Sequence, residues 1–143
     1  MRGPADLWPP GLLDLLPRGA VVVEIGVGKR FDQAEALRAL RRDVHVLVTD
    51  LRPGAILGAP HGIHGLVDDI THPNEGIYGG ASLLYALRLP EELQVHAARM
   101  AKKVGATLAF VVVKDELAHD AAKGAALATD AMRRTWRIIG PSA

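Results

Sequence analysis

Val21-Val22-Val23-Glu24-Ile25-Gly26-Val27-Gly28 is a β-branched run that closes on an acidic residue and two glycines. A continuous valine-rich run suits a strand covered on both faces, which in a water-soluble chain usually means a parallel sheet flanked by helices. Gly26 and Gly28 lack a Cβ, so they allow a sharp turn at the strand end and let the backbone approach a bound molecule closely.

The same punctuation recurs outward from this run. Val44 to Asp50 and Ile63 to Asp69 read as second and third strands, and both close on acids, the latter on Asp68-Asp69. Ala81 to Leu87 and Ala106 to Val113 read as the fourth and fifth, and Thr135 to Ile139 suits a last one. Between the first two strands, Asp32 and Glu35 stand at capping-box spacing, with Asp in place of the usual Ser or Thr. Phe31, Ala34, Leu37 and Leu40 follow at helical spacing and are expected against the sheet. Pro90 at the first helical position, acidic Glu91 and Glu92, apolar Leu93, Ala97, Met100 and Val104, and then Gly105 punctuate a second helix fully. Pro53, Gly54, Gly58 and Pro60 make Leu51 to His61 an irregular crossover or a very short helix, and Thr71 to Gly80 reads as loop. A further helix is expected within Glu116 to Arg133, and a brief one from Gly11 to Leu16 among the N-terminal prolines. Strands alternating with helices predict an α/β, doubly wound, mostly parallel sheet of about five to six strands with helices on both faces.

The length of 143 residues fits one domain over 1–143, with 1–17 an N-terminal helical extension and 117–143 a variable C-terminal helix and last strand. A net charge of +1, from 17 basic and 16 acidic residues, supplies no global field toward nucleic acid or an acidic membrane surface, although it does not exclude nucleic acid as a partner. The absence of cysteine excludes a disulfide framework, a thiolate nucleophile and sulfur-bound zinc, and makes a cytoplasmic location the default expectation. The longest apolar stretch, near Val104 to Val113, is about half of the roughly 20 residues that span a bilayer, so no membrane segment is expected. His61, His64 and His72 share a loop-rich region without Glu or Cys at ligand spacing, so no metal site is expected.

In open parallel sheets the ligand lies beyond the carboxyl ends of the strands. This places Gly26, Gly28, Asp50, Asp68, Asp69, Arg88, Lys114 and Asp115 at the candidate site. A dinucleotide fingerprint wants a third glycine three residues after Gly28, where this chain has Phe31, and no Gly-Lys-Ser/Thr makes a phosphate loop. Asp32 at the helix start opposes a phosphate there, with Lys29 and Arg30 as a partial offset, so a ligand carrying both amine and carboxylate fits better.

The spacing of Glu24, Gly26 and Gly28, with Asp50 about twenty residues on, resembles the first two motifs of class I S-adenosylmethionine-dependent methyltransferases. The resemblance implies a Rossmann-like fold in which the glycine turn holds the methionine part and Asp50 bonds both ribose hydroxyls. Asp68 or Asp69 would contact the adenine amino group. Alternation along a strand lets only one of the two face that side. Over roughly residues 20 to 116, Glu24-Ile25-Gly26-Val27-Gly28, Thr49-Asp50, Asp68-Asp69, Ile77-Tyr78 and Tyr85-Ala86-Leu87-Arg88-Leu89-Pro90-Glu91-Glu92-Leu93-Gln94 resemble a small archaeal family of uncharacterised proteins with a truncated methyltransferase-like fold. The family pattern has a second proline near Pro90, where this chain has Leu89 and Glu91.

Each candidate has a plainer reading. Glu24 either serves the ligand or caps backbone near the turn. Asp68 and Asp69 serve the ligand, form a solvated turn pair or cap a short helix. Arg88 binds substrate or pairs with Asp68, Asp69 or Glu91. Tyr78 and Tyr85 offer rings for stacking, though Tyr85 within a strand suits the core. Lys114, Asp115 and Glu116 supply acid-base groups or a solvated turn. The expected function is an S-adenosylmethionine-binding, methyltransferase-like protein of open acceptor, with catalysis itself open. A complete fold of this kind continues beyond strand five with a hairpin and a substrate-recognition element, whereas this chain ends soon after Ile139. The alternative is therefore a non-catalytic nucleotide- or metabolite-binding module acting through a partner or as a homodimer. A dinucleotide (NAD)-dependent oxidoreductase ranks third.

Overall fold

A computed structural model describes residues 3–112 and 125–141. Seven strands form one sheet in the order β3-β2-β1-β4-β5-β7-β6. They are β1 (Val21–Glu24), β2 (His45–Asp50), β3 (Ile63–Val67), β4 (Ala81–Ala86), β5 (Thr107–Val111), β6 (Ala126–Thr129) and β7 (Thr135–Ile139). The first five are mutually parallel; β7 pairs antiparallel with β5, and β6 antiparallel with β7. The α/β class and parallel core match the sequence reading. The strand number is seven rather than five to six, because Ala126–Thr129, expected within a helix, is a strand.

The valine run of β1 divides its side chains between two cores. Val22 joins Trp8, Leu37, Val46, Leu83, Tyr85 and Trp136 on the face covered by α1 (Asp32–Leu40) and the N-terminal segment. Val23 and Ile25 join Leu84, Leu89, Met100 and Phe110 on the face covered by α4 (Glu91–Val104). Both valines are fully buried, which is why the run carries no polar alternation. α4 begins after Pro90 and ends at Gly105, whose φ of 73° gives the left-handed C-terminal geometry expected of its sequence.

The β2–β3 and β3–β4 crossovers are short. α2 (Pro53–Ile56) and α3 (Glu75–Tyr78) are single turns, the latter inside the stretch expected to be loop. The brief Gly11-to-Leu16 helix is replaced by two 3-10 turns, Pro4–Leu7 and Leu13–Leu15. Asp32 is the first residue of α1 rather than its cap; Phe31 holds the cap position without a side-chain bond. Leu40 is 41% exposed, so the helix face against the sheet ends at Leu37. The sheet includes the hairpin, β6 and β7, that the sequence reading left out.

β6 and β7 meet through a tight turn in which Asp130 N donates to Arg134 O at 3.1 Å and Arg133 takes φ 63°. A turn ending in a left-handed residue matches the strand twist. The N-terminal segment is anchored on the same side. Trp8 stacks on Trp136 at 5.4 Å, meets Tyr85 edge-on at 4.8 Å, and donates through Nε1 to Gln33 O at 3.2 Å. Among the described residues no helix is long and apolar enough to cross a membrane.

Candidate functional site

Beyond Glu24 the chain leaves β1 but stays pinned between its neighbours. Ile25 N donates to Tyr85 O on β4 at 2.8 Å, and Val27 N donates to Thr49 O on β2 at 2.9 Å. This is the point where the strand order changes direction, since β1 leads to β2 on one side while β4 lies on the other. Gly26 and Gly28 sit there, both exposed, with φ of 69° and 59°. A Cβ at either would find its nearest neighbour 4.0 Å away. The left-handed backbone, not crowding within the protein, therefore requires glycine. Lys29 continues the turn at φ 68°, a conformation that costs a side-chain-bearing residue about 1 kcal/mol or more.

Asp50, half-buried at the end of β2, clasps this turn. Its Oδ2 accepts Gly28 N–H at 2.9 Å and its Oδ1 accepts Arg52 N–H at 2.9 Å. A cleft of about 450 Å³ opens beside it, lined by Gly28, Lys29, Asp50, Arg52, Gly54 and Ala55. On the other side of the turn a cleft of about 220 Å³ is bordered by Gly26, Val27, Leu87, Val111, Arg88 and Arg134 among others. A third groove, of about 430 Å³, lies away from the strand ends between α4 and β7 and brings together mainly alanines and aliphatic side chains with Arg99 and Lys102.

Glu24 lies beneath the turn rather than in either cleft. It is fully buried, and Tyr85 Oη donates to its Oε1 at 2.6 Å. Its Oε2 has no hydrogen-bond partner among the described residues. Burial pushes the carboxyl up to about 8; the bond from Tyr85 works against that rise, and the charge of Asp32 adds to it. Burial, with the charge of Glu24, likewise raises the Tyr85 hydroxyl well above its ordinary value.

The paired acids after β3 separate as alternation requires. Asp68 accepts from Tyr78 Oη at 2.6 Å and from Asn74 N at 2.9 Å. Asp69 accepts from Thr71 N at 2.9 Å and Thr71 Oγ1 at 2.7 Å, and the Thr71 bonds hold its carboxyl below the usual range. Both acids thus organise the 68–78 crossover. Tyr78 is buried against Asp68 and Tyr85 against Glu24, so neither ring face stands free for stacking.

Arg88 is exposed at the end of β4 and borders the smaller cleft; among the described residues it forms no ion pair with Asp68, Asp69 or Glu91. His61, His64 and His72 are exposed, and no group of three potential metal ligands occurs among the described residues. Lys114, Asp115 and Glu116 lie outside the described residues.

Sequence reasoning missed the support under the smaller cleft. Asp130, 3% exposed, binds Arg134 Nε at 2.7 Å and accepts Trp136 Nε1 at 2.9 Å. Burial works to raise its carboxyl, but bonds from Trp136 and Arg134 hold it below the usual range. Arg134 Nη2 reaches across to Leu7 O at 2.8 Å and Gln33 Oε1 at 2.9 Å. The sequence signal is only Asp and Arg at a separation of four, which is indistinguishable from a surface pair on a helix.

The strand order, the switch-point glycine turn and the acid at the end of β2 define a Rossmann-like, methyltransferase-like fold. A SAM-dependent methyltransferase from Aquifex aeolicus superposes with a TM-score of 0.58 at 14% identity, covering 86% of this chain and 82% of that one. Aeropyrum pernix fibrillarin, in complex with natively bound S-adenosyl-L-methionine, gives 0.59 at 13% identity, covering 85% and 66%. At such identities the likeness concerns the fold alone. Residues 15–127 match the uncharacterised protein family UPF0146, and the chain belongs to that family. A UPF0146 protein of Archaeoglobus fulgidus is 45% identical over 85 residues, 59% of this chain; the matched part spans 62% of that relative's length.

Proposed function

We propose that the protein binds S-adenosylmethionine across the glycine turn, with Gly26 and Gly28 beside the methionine part and Asp50 on the ribose. The observation that carries this reading is the Asp50 clasp. A carboxylate offers about four acceptor positions, and two are used by Gly28 and Arg52. The others suit a pair of vicinal hydroxyls in the adjoining cleft. Asp68 and Asp69 stand further along the sheet edge, where the adenine would lie. Their carboxyls already serve Tyr78, Asn74 and Thr71, which gives them a positioning part rather than a first claim on the base.

Phe31 weighs against a dinucleotide. It occupies the cap of α1 and packs against the core on that face, where a pyrophosphate needs glycine and open backbone. Stabilisation by ligand follows mass action, so S-adenosylmethionine at 100 times its Kd should raise stability by about 2.7 kcal/mol, while NAD should leave the melting temperature unchanged. Stabilisation by NAD alone would overturn the assignment.

Methyl transfer asks chiefly that nucleophile and sulfonium be held in line. The alternative is non-catalytic, with the bound adenosyl ligand acting through a partner or a homodimer. Ligand binding without methyl turnover on a cell extract or RNA pool, together with a dimer in sedimentation, would select that alternative.

A further inference from the structure

The smaller cleft beside the glycine turn concentrates positive charge in a chain whose net charge is only +1. Arg30 from the β1–α1 turn, Arg88 from the end of β4 and Arg134 from the β6–β7 turn all line it, and no acidic residue does among those described. Three elements distant in sequence therefore each bring one arginine to the border of a space of about 220 Å³. Like charges gathered in this way repel one another unless an anion joins them.

The three arginines are not equivalent. Arg134 is built in: Nε holds Asp130, Nη2 holds Leu7 O and Gln33 Oε1, and Nη1 alone has no partner among the described residues. Its ordering is already complete before any ligand arrives, which lowers the cost of binding. Asp130 offsets the charge of Arg134, while Arg30 and Arg88 are exposed and have no ion pair among the described residues. Among the described residues the cleft is therefore bordered by two arginines without a counter-charge, and guanidinium forks match phosphate and carboxylate oxygens in pairs.

S-adenosylmethionine does not account for this. Its methionine part, placed beside Gly26 and Gly28, shares the rim of this cleft, but its sulfonium and ammonium are cations and its single carboxylate is smaller in charge than the arginines there. We propose that Arg30, Arg88 and Arg134 form the subsite for the phosphate of a second, small ligand, a phosphomonoester whose remaining part rests on Leu87 and Val111. A phosphomonoester carries about −1.5 to −2 charges at neutral pH, close to the uncompensated charge of the cleft. As the acceptor site it rests on the cofactor reading above; as an anion site it stands separately.

The test is titration of the full chain with inorganic phosphate and phenyl phosphate at low ionic strength in a phosphate-free buffer, read by protein NMR, with and without S-adenosylmethionine. Saturable binding is expected, with shifts centred on Gly26, Arg30, Arg88 and Arg134. Arg30→Gln and Arg88→Gln should each weaken it at least tenfold, while Arg42→Gln, an exposed arginine outside the cleft, should weaken it less than twofold. Phosphate binding without any response to S-adenosylmethionine keeps the anion site and removes the cofactor reading. Failure to saturate, or equal losses from Arg42→Gln and Arg88→Gln, would overturn the site. Succinate binding as tightly as phosphate overturns the phosphate assignment, and an RNA pentamer binding a hundredfold more tightly through the same arginines overturns the small ligand.

Discussion

The Tyr85 hydroxyl donates to Oε1 of Glu24 at 2.6 Å, joining the adjacent central strands β4 and β1 directly beneath the glycine turn. The pair lies in the layer that holds Trp8 and Trp136, and it buries a carboxyl at the base of the site without exposing it to either cleft. The acid that opens the motif therefore acts on the scaffold.

This pairing has a pH signature. With its folded value pushed up to about 8 from an ordinary 4.5, Glu24 keeps a proton that the unfolded chain releases. Its contribution to stability is complete below about pH 4.5 and is lost as pH rises toward 8, at up to about 1.4 kcal/mol per pH unit. Glu24→Gln keeps an acceptor for Tyr85 but cannot ionise. Urea unfolding from pH 5 to 9 should show the variant gaining on the wild type as pH rises; parallel curves would mean that Glu24 ionises normally in the fold.

Asp130 is the second point at which one atom set holds several elements. Removing it leaves Arg134 half-buried without its counter-charge and the Trp136 indole N–H without an acceptor. Asp130→Ala should cost about 3–5 kcal/mol in equilibrium unfolding, the range for breaking a buried ion pair. A loss below 1 kcal/mol would show that the hairpin closes without it.

Gly65 in β3 lies under the single turn α2. A Cβ there would stand 2.8 Å from Ile56 Cβ and 3.0 Å from Ile56 O, so α2 would have to move away. Gly65→Ala is expected to destabilise by about 1–3 kcal/mol. It should also weaken ligand binding at Asp50, because α2 and Asp50 border the same cleft. Unchanged stability would mean that α2 is free to shift.

The parallel core was legible because β1, β2 and β4 are buried on both faces, so their sequences are apolar runs bounded by acids, arginine and glycine. α4 was legible for a different reason: Pro90, Glu91 and Gly105 mark its ends in the language of helix termini. β6 was not. Its four residues, Ala-Leu-Ala-Thr, are mostly exposed, and alanine favours helix locally; only pairing with β7 makes them a strand. At the site, the glycines and Asp50 announced themselves by spacing. The duties of Glu24, Asp68 and Arg134 depend on partners 61, 10 and 101 residues away, which no local pattern encodes.

In the proposed function Asp50 serves both the turn and a ligand hydroxyl pair. Isothermal titration of S-adenosylmethionine into the wild-type chain and into Asp50→Ala tests it most directly, with circular dichroism to confirm that the variant folds. Two hydrogen bonds to a charged acceptor are worth about 1.5–3 kcal/mol each, so saturable one-site binding weakened at least tenfold by the substitution is the predicted result. No heat from the wild type at millimolar ligand, or equal affinity in a folded Asp50→Ala, would contradict it.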